Sequence, residues 1–207
     1  LLRLGEELWT RGRAQVEQSD DEGDTAMAIA DCLGVVMQAV PECSLSRPGQ
    51  LLWIIERALD DDYDLLGGAE EVLKRRAYSK AHWREVVDEL TSRLDPGSGT
   101  QGANFSVSYR RNRLLSCLLD ACARAGWKDR MVPLLEAEVD ACQCHARLVD
   151  ELLAAGEEER ARAWCIRGYA STIADAPGIA QELQNRLRDM AQRHRRHDLV
   201  AAYAAQD

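Results

Sequence analysis

The chain has a single phenylalanine, and aromatic residues fill only 5% of its 207 positions. Strands draw on aromatic and β-branched residues, whereas Ala, Leu, Arg and Glu, which are abundant here, favour helices. Lysine is nearly missing as well: Lys74, Lys80 and Lys128 are the only ones, so Arg carries the positive charge. That bias is expected of a GC-rich genome. No apolar run approaches the roughly 18 residues that a membrane span requires, and no signal peptide is visible. The seven cysteines are odd in number and scattered through apolar stretches. This argues against a disulfide scaffold and for a reducing, cytoplasmic setting. Catalytic signatures are missing too: there is no phosphate-cradling glycine loop, no nucleophile elbow and no HExxH. No enzymatic activity and no cofactor are therefore expected. The net charge of −9 argues against general binding of nucleic acid, which needs a broad cationic face.

What is present is helical period almost throughout. Leu1, Leu4, Leu8 and Gly12 mark one stripe, with the helix ending near "QSDDEG". Asp24 is placed to cap a second helix whose face is Ile29, Leu33, Val36, Met37 and Val40, stopped by Pro41. Ser46 and Pro48 open a third, with Leu51, Leu52, Ile55 and Leu59 at helical spacing. A short fourth is expected over Ala69–Ala77. Ser79 caps a fifth that turns Trp83, Val86, Val87, Leu90 and Leu94 inward. "DPGSGTQGAN" reads as a linker. Three helix pairs follow. The first has Leu115, Leu118, Leu119 and Cys122 before Gly126. The second has Leu148, Leu152 and Leu153 before Gly156. The third turns from "GIAQELQNRLRDMAQRH" into "DLVAAYAAQ". The expected organisation is an N-terminal helical part at 1–94, a flexible linker or loop at 95–105, and three hairpin repeats at 106–207. Together these make an all-α superhelix of ten or eleven helices. Because the chain opens at Leu1 directly in helical pattern, it reads as a domain excised from a longer protein.

"LVDELLAAGEEERARAW" resembles a tetratricopeptide repeat: an apolar helix, a turn at Gly156, then small Ala161, where the two helices of a hairpin approach closely. Pro177 falls about one turn late for that pattern, so the second helix of the pair is expected to be long. The block from "YRRNRLLSCLLDACARAGWKDRMVPLLEAE" to "AAYAAQ" is similar to the C-terminal helical region of bacterial SWIM-type zinc-finger proteins. That resemblance implies a finger of Cys-x-Cys followed by Cys-x-His. Cys142-Gln-Cys144 supplies the first half, but no Cys-x-His follows, so the finger itself is expected outside this chain.

Three stretches invite a site. In "CQCH", Cys142 and Cys144 would point some 200° apart on a helix, and Cys142 with His145 makes two ligands where structural zinc takes four. The segment reads as the start of a helix with small hydrophobic sulfurs, and no metal is expected there. In "LDDDYDLLGGAEE", Asp60, Asp62, Asp64 and Glu71 fall on positions 1, 3, 5 and 12 of a calcium loop, but Leu65 stands where the turn glycine belongs. "RLRDMAQRHRRHD" is rich in Arg but diluted by Asp189 and Asp198 and without aromatics for base stacking.

The leading expectation is a non-catalytic protein-interaction module. The alternatives are a metal-regulated module using the Asp60–Glu71 loop, and an accessory nucleic-acid contact through the Arg-rich C-terminal helices. In stacked pairs the first helix of each pair lines the concave face. Setting aside the apolar stripes leaves Arg110, Arg113, Arg147, Glu151, Asn185 and Arg188 as candidate partner-binding residues. Four are guanidinium groups, which suit the carboxylates of an acidic peptide or protein face.

Overall fold

The computed structural model describes residues 2–19, 23–94 and 105–193; side chains at 19 and 105–107 are set aside. Among these residues there is no strand, and ten α-helices carry the chain: α1 (Leu2–Ser19), α2 (Asp24–Ala39), α3 (Arg47–Leu59), α4 (Ala69–Leu73), α5 (Lys80–Arg93), α6 (Phe105–Ala125), α7 (Met131–Cys142), α8 (His145–Ala154), α9 (Glu158–Thr172) and α10 (Pro177–Arg193). The expected all-α class holds. No described helix is long and apolar enough to cross a membrane. The linker expected at 95–105 lies, except for Phe105 at the start of α6, outside the described residues, as does the last expected helix in "DLVAAYAAQ".

The chain divides into two compact units. The first joins α1–α5 to Tyr109–Gly126, and the second takes the start of α6 as far as Ser108 and runs on from Trp127. The boundaries thus fall near both ends of α6, within the stretch that the sequence reads as the first helix pair.

In the first unit, α1 packs on α2. The faces differ from the expected stripe: Trp9 and Val16 are buried, whereas Leu4 is 64% exposed. Glycine decides the geometry. A Cβ at Gly5 would stand 2.7 Å from Val36 Cγ1, and one at Gly12 would stand 2.8 Å from Ile29 Cγ2. The absence of a side chain at both positions lets the helices approach closely, and rotates Leu4 outward. The start of α2 also differs: Gly23, at φ 79°, is the N-cap, and Asp24 is the first helical residue, where its charge favours the helix dipole. Leu33, Val36 and Met37 are buried as expected, and Val40 and Pro41 close the helix in a buried 3₁₀ turn.

At α3, the Ser46 hydroxyl accepts from Gly49 N with proline in the first turn, a cap that contributes about 1 kcal/mol. Its buried face is wider than expected and includes the polar Gln50, 2% exposed. Helix α4 stops at Leu73, short of the expected Ala77. In α5, Ser79 and His82 form a reciprocal capping box, and Trp83, Val86, Val87, Leu90 and Leu94 are all buried. Residues 109–126 bring Leu115, Leu118, Leu119 and Cys122 into the core at 0–1% exposure, and Gly126 ends α6 at φ 76°.

In the second unit, α7 packs on α8, α8 on α9 and α9 on α10, while α8 also touches α10. Leu148, Leu152, Ala161, Cys165 and Leu183 are fully buried at these contacts. The α8–α9 turn is made at Gly156, φ 77°, a left-handed conformation that glycine adopts without Cβ strain. Ala161 at 0% exposure is the small residue that allows α8 and α9 their close approach.

Candidate functional site

The loop 60–66 follows α3 in the first unit. Its shape is fixed by Asp61, whose two carboxylate oxygens accept from Leu65 N and Leu66 N at 2.9 Å each. Leu65 is 1% exposed, so the position a calcium loop reserves for glycine is here an anchor into the core. Asp60 and Asp62 face arginines. Asp60 receives Arg110 at 3.1 Å. Asp62 receives Arg113 at 3.2 Å and Arg13 at 3.6 Å. Arg113 further donates to the carbonyls of Ala58 and Asp61, and its guanidinium lies 5.6 Å over the Tyr109 ring. Three guanidinium groups thus already pair with Asp60 and Asp62. Among the described residues, no three His, Cys, Asp or Glu side chains converge to hold a metal ion.

Beside this loop lies a cleft of about 490 Å³ lined by α1, α3, α5 and Arg110. Its floor is Trp9, and its wall is a relay of ions: Arg57 bonds Glu6 and Glu56, and Arg93 bonds Glu56 at 2.9 Å and Glu89 at 3.0 Å. Burial pulls the Arg93 pKa down, but the hydrogen bonds to Glu56 and Glu89 outweigh it and leave it raised. Arg57 also stacks 4.9 Å over Trp53. Acids and bases alternate around the rim, so the cleft has no excess of either sign.

In the second unit the "CQCH" stretch starts a helix, as expected, but only from its second half. Cys142 ends α7, Gln143 turns the chain at φ 51°, Cys144 caps α8, and His145 is its first residue. The break is left-handed, and the two sulfurs meet different oxygen partners. Cys142 Sγ lies 3.9 Å from a Glu138 carboxylate oxygen, and Cys144 Sγ lies 3.9 Å from the Leu135 carbonyl. Burial pushes the Cys144 thiol, like that of Cys165, up to about 12. Such thiols stay protonated at neutral pH, which makes them poor nucleophiles and poor ligands. His145 is 2% exposed, and neither ring nitrogen has a hydrogen-bond partner. Burial holds its pKa below the ordinary value, opposed in part by Asp140, whose carboxylate stands 4.0 Å from Nε2.

The six candidate partner-binding residues divide between the units. Arg110 and Arg113 belong to the first, where both engage loop 60–62. Arg147 and Glu151 stand on α8, Asn185 and Arg188 on α10, in the second. Arg188 Nη1 donates to Asn185 Oδ1 at 3.4 Å. The Arg-rich end of α10 is partly neutralised: Arg186 forks onto Asp150 at 2.9 and 2.7 Å and reaches Glu182. These hydrogen bonds raise its pKa. The residues beyond Arg193 in that stretch lie outside the described part of the chain. Two further polar groups have no mark in sequence pattern. Gln50 is a buried hub, and Glu136 joins Trp164 Nε1 (3.1 Å) to Arg160 (2.6 Å). No protein-family model matches the chain, and neither a curated protein nor a solved structure matches it.

Proposed function

We propose that this chain is a non-catalytic protein-interaction module of tetratricopeptide-like architecture, acting within a bacterial cytoplasmic protein of the SWIM zinc-finger type. The observation that carries the reading is the packing of the second unit. Helix α9 lies against both α8 and α10, and α8 and α10 touch each other. A first helix, its partner and the next first helix packed in a triangle is the repeating element of a helical solenoid. In such a stack α8 and α10 present one shared face, and Arg147, Glu151, Asn185 and Arg188 stand on those two helices. An acidic peptide segment fits that set best, since guanidinium groups pair with carboxylates in a bidentate fork. Arg110 and Arg113, the other two guanidinium groups of the set, stand in the first unit on Asp60 and Asp62.

The test is affinity capture from the source cell with the wild type and an Arg147→Glu/Arg188→Glu variant. Each captured partner is then purified and titrated at low and high salt. The reading expects the double variant to bind at least tenfold more weakly, a loss of about 1.4 kcal/mol, and the wild-type affinity to fall with salt. Equal binding by both proteins would refute the α8/α10 face. A Cys-x-Cys…Cys-x-His pair in the same gene outside this chain would support the SWIM assignment, and its absence would overturn it.

A further inference from the structure

We propose that the outer face of α9 is a self-association seam, which pairs antiparallel with α9 of a second copy of this chain. The helix is apolar on two faces. One face, Ala161, Cys165 and Gly168, is buried inside the unit. The other carries Ala163, Ile166, Ala170 and Ile173, all exposed, with the isoleucines at 48% and 50%. Ile173 stands one residue beyond the helix, but its backbone keeps helical angles and its N–H bonds the Tyr169 carbonyl at 3.0 Å, so the phase continues. At about 100° per residue the four side chains fall within an arc of about 80°. A helix with a single buried stripe normally turns polar residues to water. Here Glu159 stands one turn earlier on the same arc and Arg160 and Arg167 are exposed, so the apolar stretch is confined to the four positions from 163 to 173.

The spacing identifies the occupant. Steps of three, four and three place alanine at the first and isoleucine at the fourth position of two successive heptads. A parallel partner would stack alanine on alanine and isoleucine on isoleucine, so a thin layer would alternate with a thick one. Antiparallel alignment about position 168 sets Ala163 against Ile173 of the second copy and Ile166 against its Ala170. Every layer then holds one small and one large side chain, at constant separation. The face is complementary to itself, as a two-fold contact requires. Arg167 borders the seam, where it would approach its own counterpart. Its charge is already met by Asp140 at 3.1 Å, and it stacks 4.6 Å over Trp164. Arg162 borders the other side. Two heptads give a short contact, below the roughly 800 Å² per partner of a standard interface, so the dimer is weak and concentration-dependent. The seam does not rest on the proposed partner face of α8 and α10, and either can fail without the other.

Sedimentation velocity over two decades of concentration tests it, with helicity checked by circular dichroism. The wild type is expected to pass from monomer towards dimer. Ile166→Glu and Ile173→Glu, both at exposed positions, are expected to weaken association at least tenfold with helicity unchanged. Alignment is read from disulfide trapping in a Cys32→Ser background, which removes the exposed native thiol. A mixture of Ala163→Cys and Ile173→Cys chains is expected to cross-link, and either variant alone is not. A wild type that stays monomeric throughout overturns the proposal, as does a dimer that both glutamate variants leave intact. Cross-linking of each cysteine variant with itself overturns the antiparallel alignment.

Discussion

Replacing Gln50 by leucine removes a buried polar hub of the first unit while nearly preserving volume. Gln50 Nε2 donates to the carbonyls of Pro41, Cys43 and Leu45 at 3.4, 3.4 and 3.2 Å. Its Oε1 accepts from the Tyr78 hydroxyl at 3.3 Å and from Arg47 Nη1 at 3.1 Å. The Pro41 carbonyl keeps Arg47 Nη1 at 2.7 Å. Leucine therefore strands the Tyr78 hydroxyl, at a residue 7% exposed, and takes the donor from the part-buried Cys43 and Leu45 carbonyls. A buried group left without its partner costs about 1–3 kcal/mol. Water can reach the part-buried carbonyls, and the added apolar burial returns about 1 kcal/mol. The expected loss is about 1–2 kcal/mol. In urea denaturation it appears as a lower midpoint with an unchanged slope. Gln50→Glu separates the two halves of the hub. One oxygen can keep Arg47 and Tyr78, while the other can no longer donate to the three carbonyls, so it is expected to lie between the wild type and leucine. A leucine variant within about 0.5 kcal/mol of wild type would refute the hub.

Gly168→Ala gains about 1 kcal/mol of helix propensity. However, its Cβ would stand 2.6 Å from His145 Cδ2 and 2.7 Å from Leu183 Cδ1. Overpacking of about 1–3 kcal/mol is expected to win, and a raised melting temperature would contradict it. His145 titrates below its ordinary value of 6.5 because of burial. The unfolded chain therefore binds its proton first, and stability present above that pH is lost as pH falls through it. Stability measured at stepped pH is expected to show this loss in the wild type and a flatter profile in His145→Leu; equal slopes would contradict it. Arg113→Ala frees loop 60–66 and is expected to cost about 1–2 kcal/mol after allowance for solvent screening. Amide exchange at Leu65 and Leu66 should quicken with it, and unchanged protection would contradict the anchoring role.

How much of this was legible depends on which residues carry the signal. Helix α5 could be read completely, because a serine cap and five large apolar side chains at helical spacing state both its start and its face. Helix α1 could not be read that way. Its orientation follows from two glycines that let it lie close to α2, and glycine adds nothing to an apolar stripe. On a continuous helix Cys142 and Cys144 would point away from each other, but the helix is not continuous there. Gln143 breaks it in a left-handed conformation that no local residue type announces. Arg110 and Arg113 were visible as a pair one turn apart. Their acidic partners are not legible, since Asp62 lies 51 positions away from Arg113 and only the fold brings them together. Arg147 and Glu151 lie on α8 and Asn185 and Arg188 on α10, two helices that periodicity alone marks out.

The return of residues 109–126 to the first unit has a consequence for how the chain is made. Arg113 clasps Ala58, Asp61 and Asp62, and Arg124 reaches the Leu73 carbonyl at 3.2 Å and covers the Trp83 ring at 5.1 Å. Until position 126 has left the ribosome, loop 60–66 lacks its clasp and Trp83 lacks its cover. At about 5–20 residues per second, the stretch after α5 leaves that surface open for a few seconds. The second unit has no such wait. Each of its helices packs on its neighbour in the chain, so it can form turn by turn as it emerges, and its local contacts favour rapid folding. The part synthesised first therefore finishes on a later signal, and a fragment ended at residue 94 would never receive it.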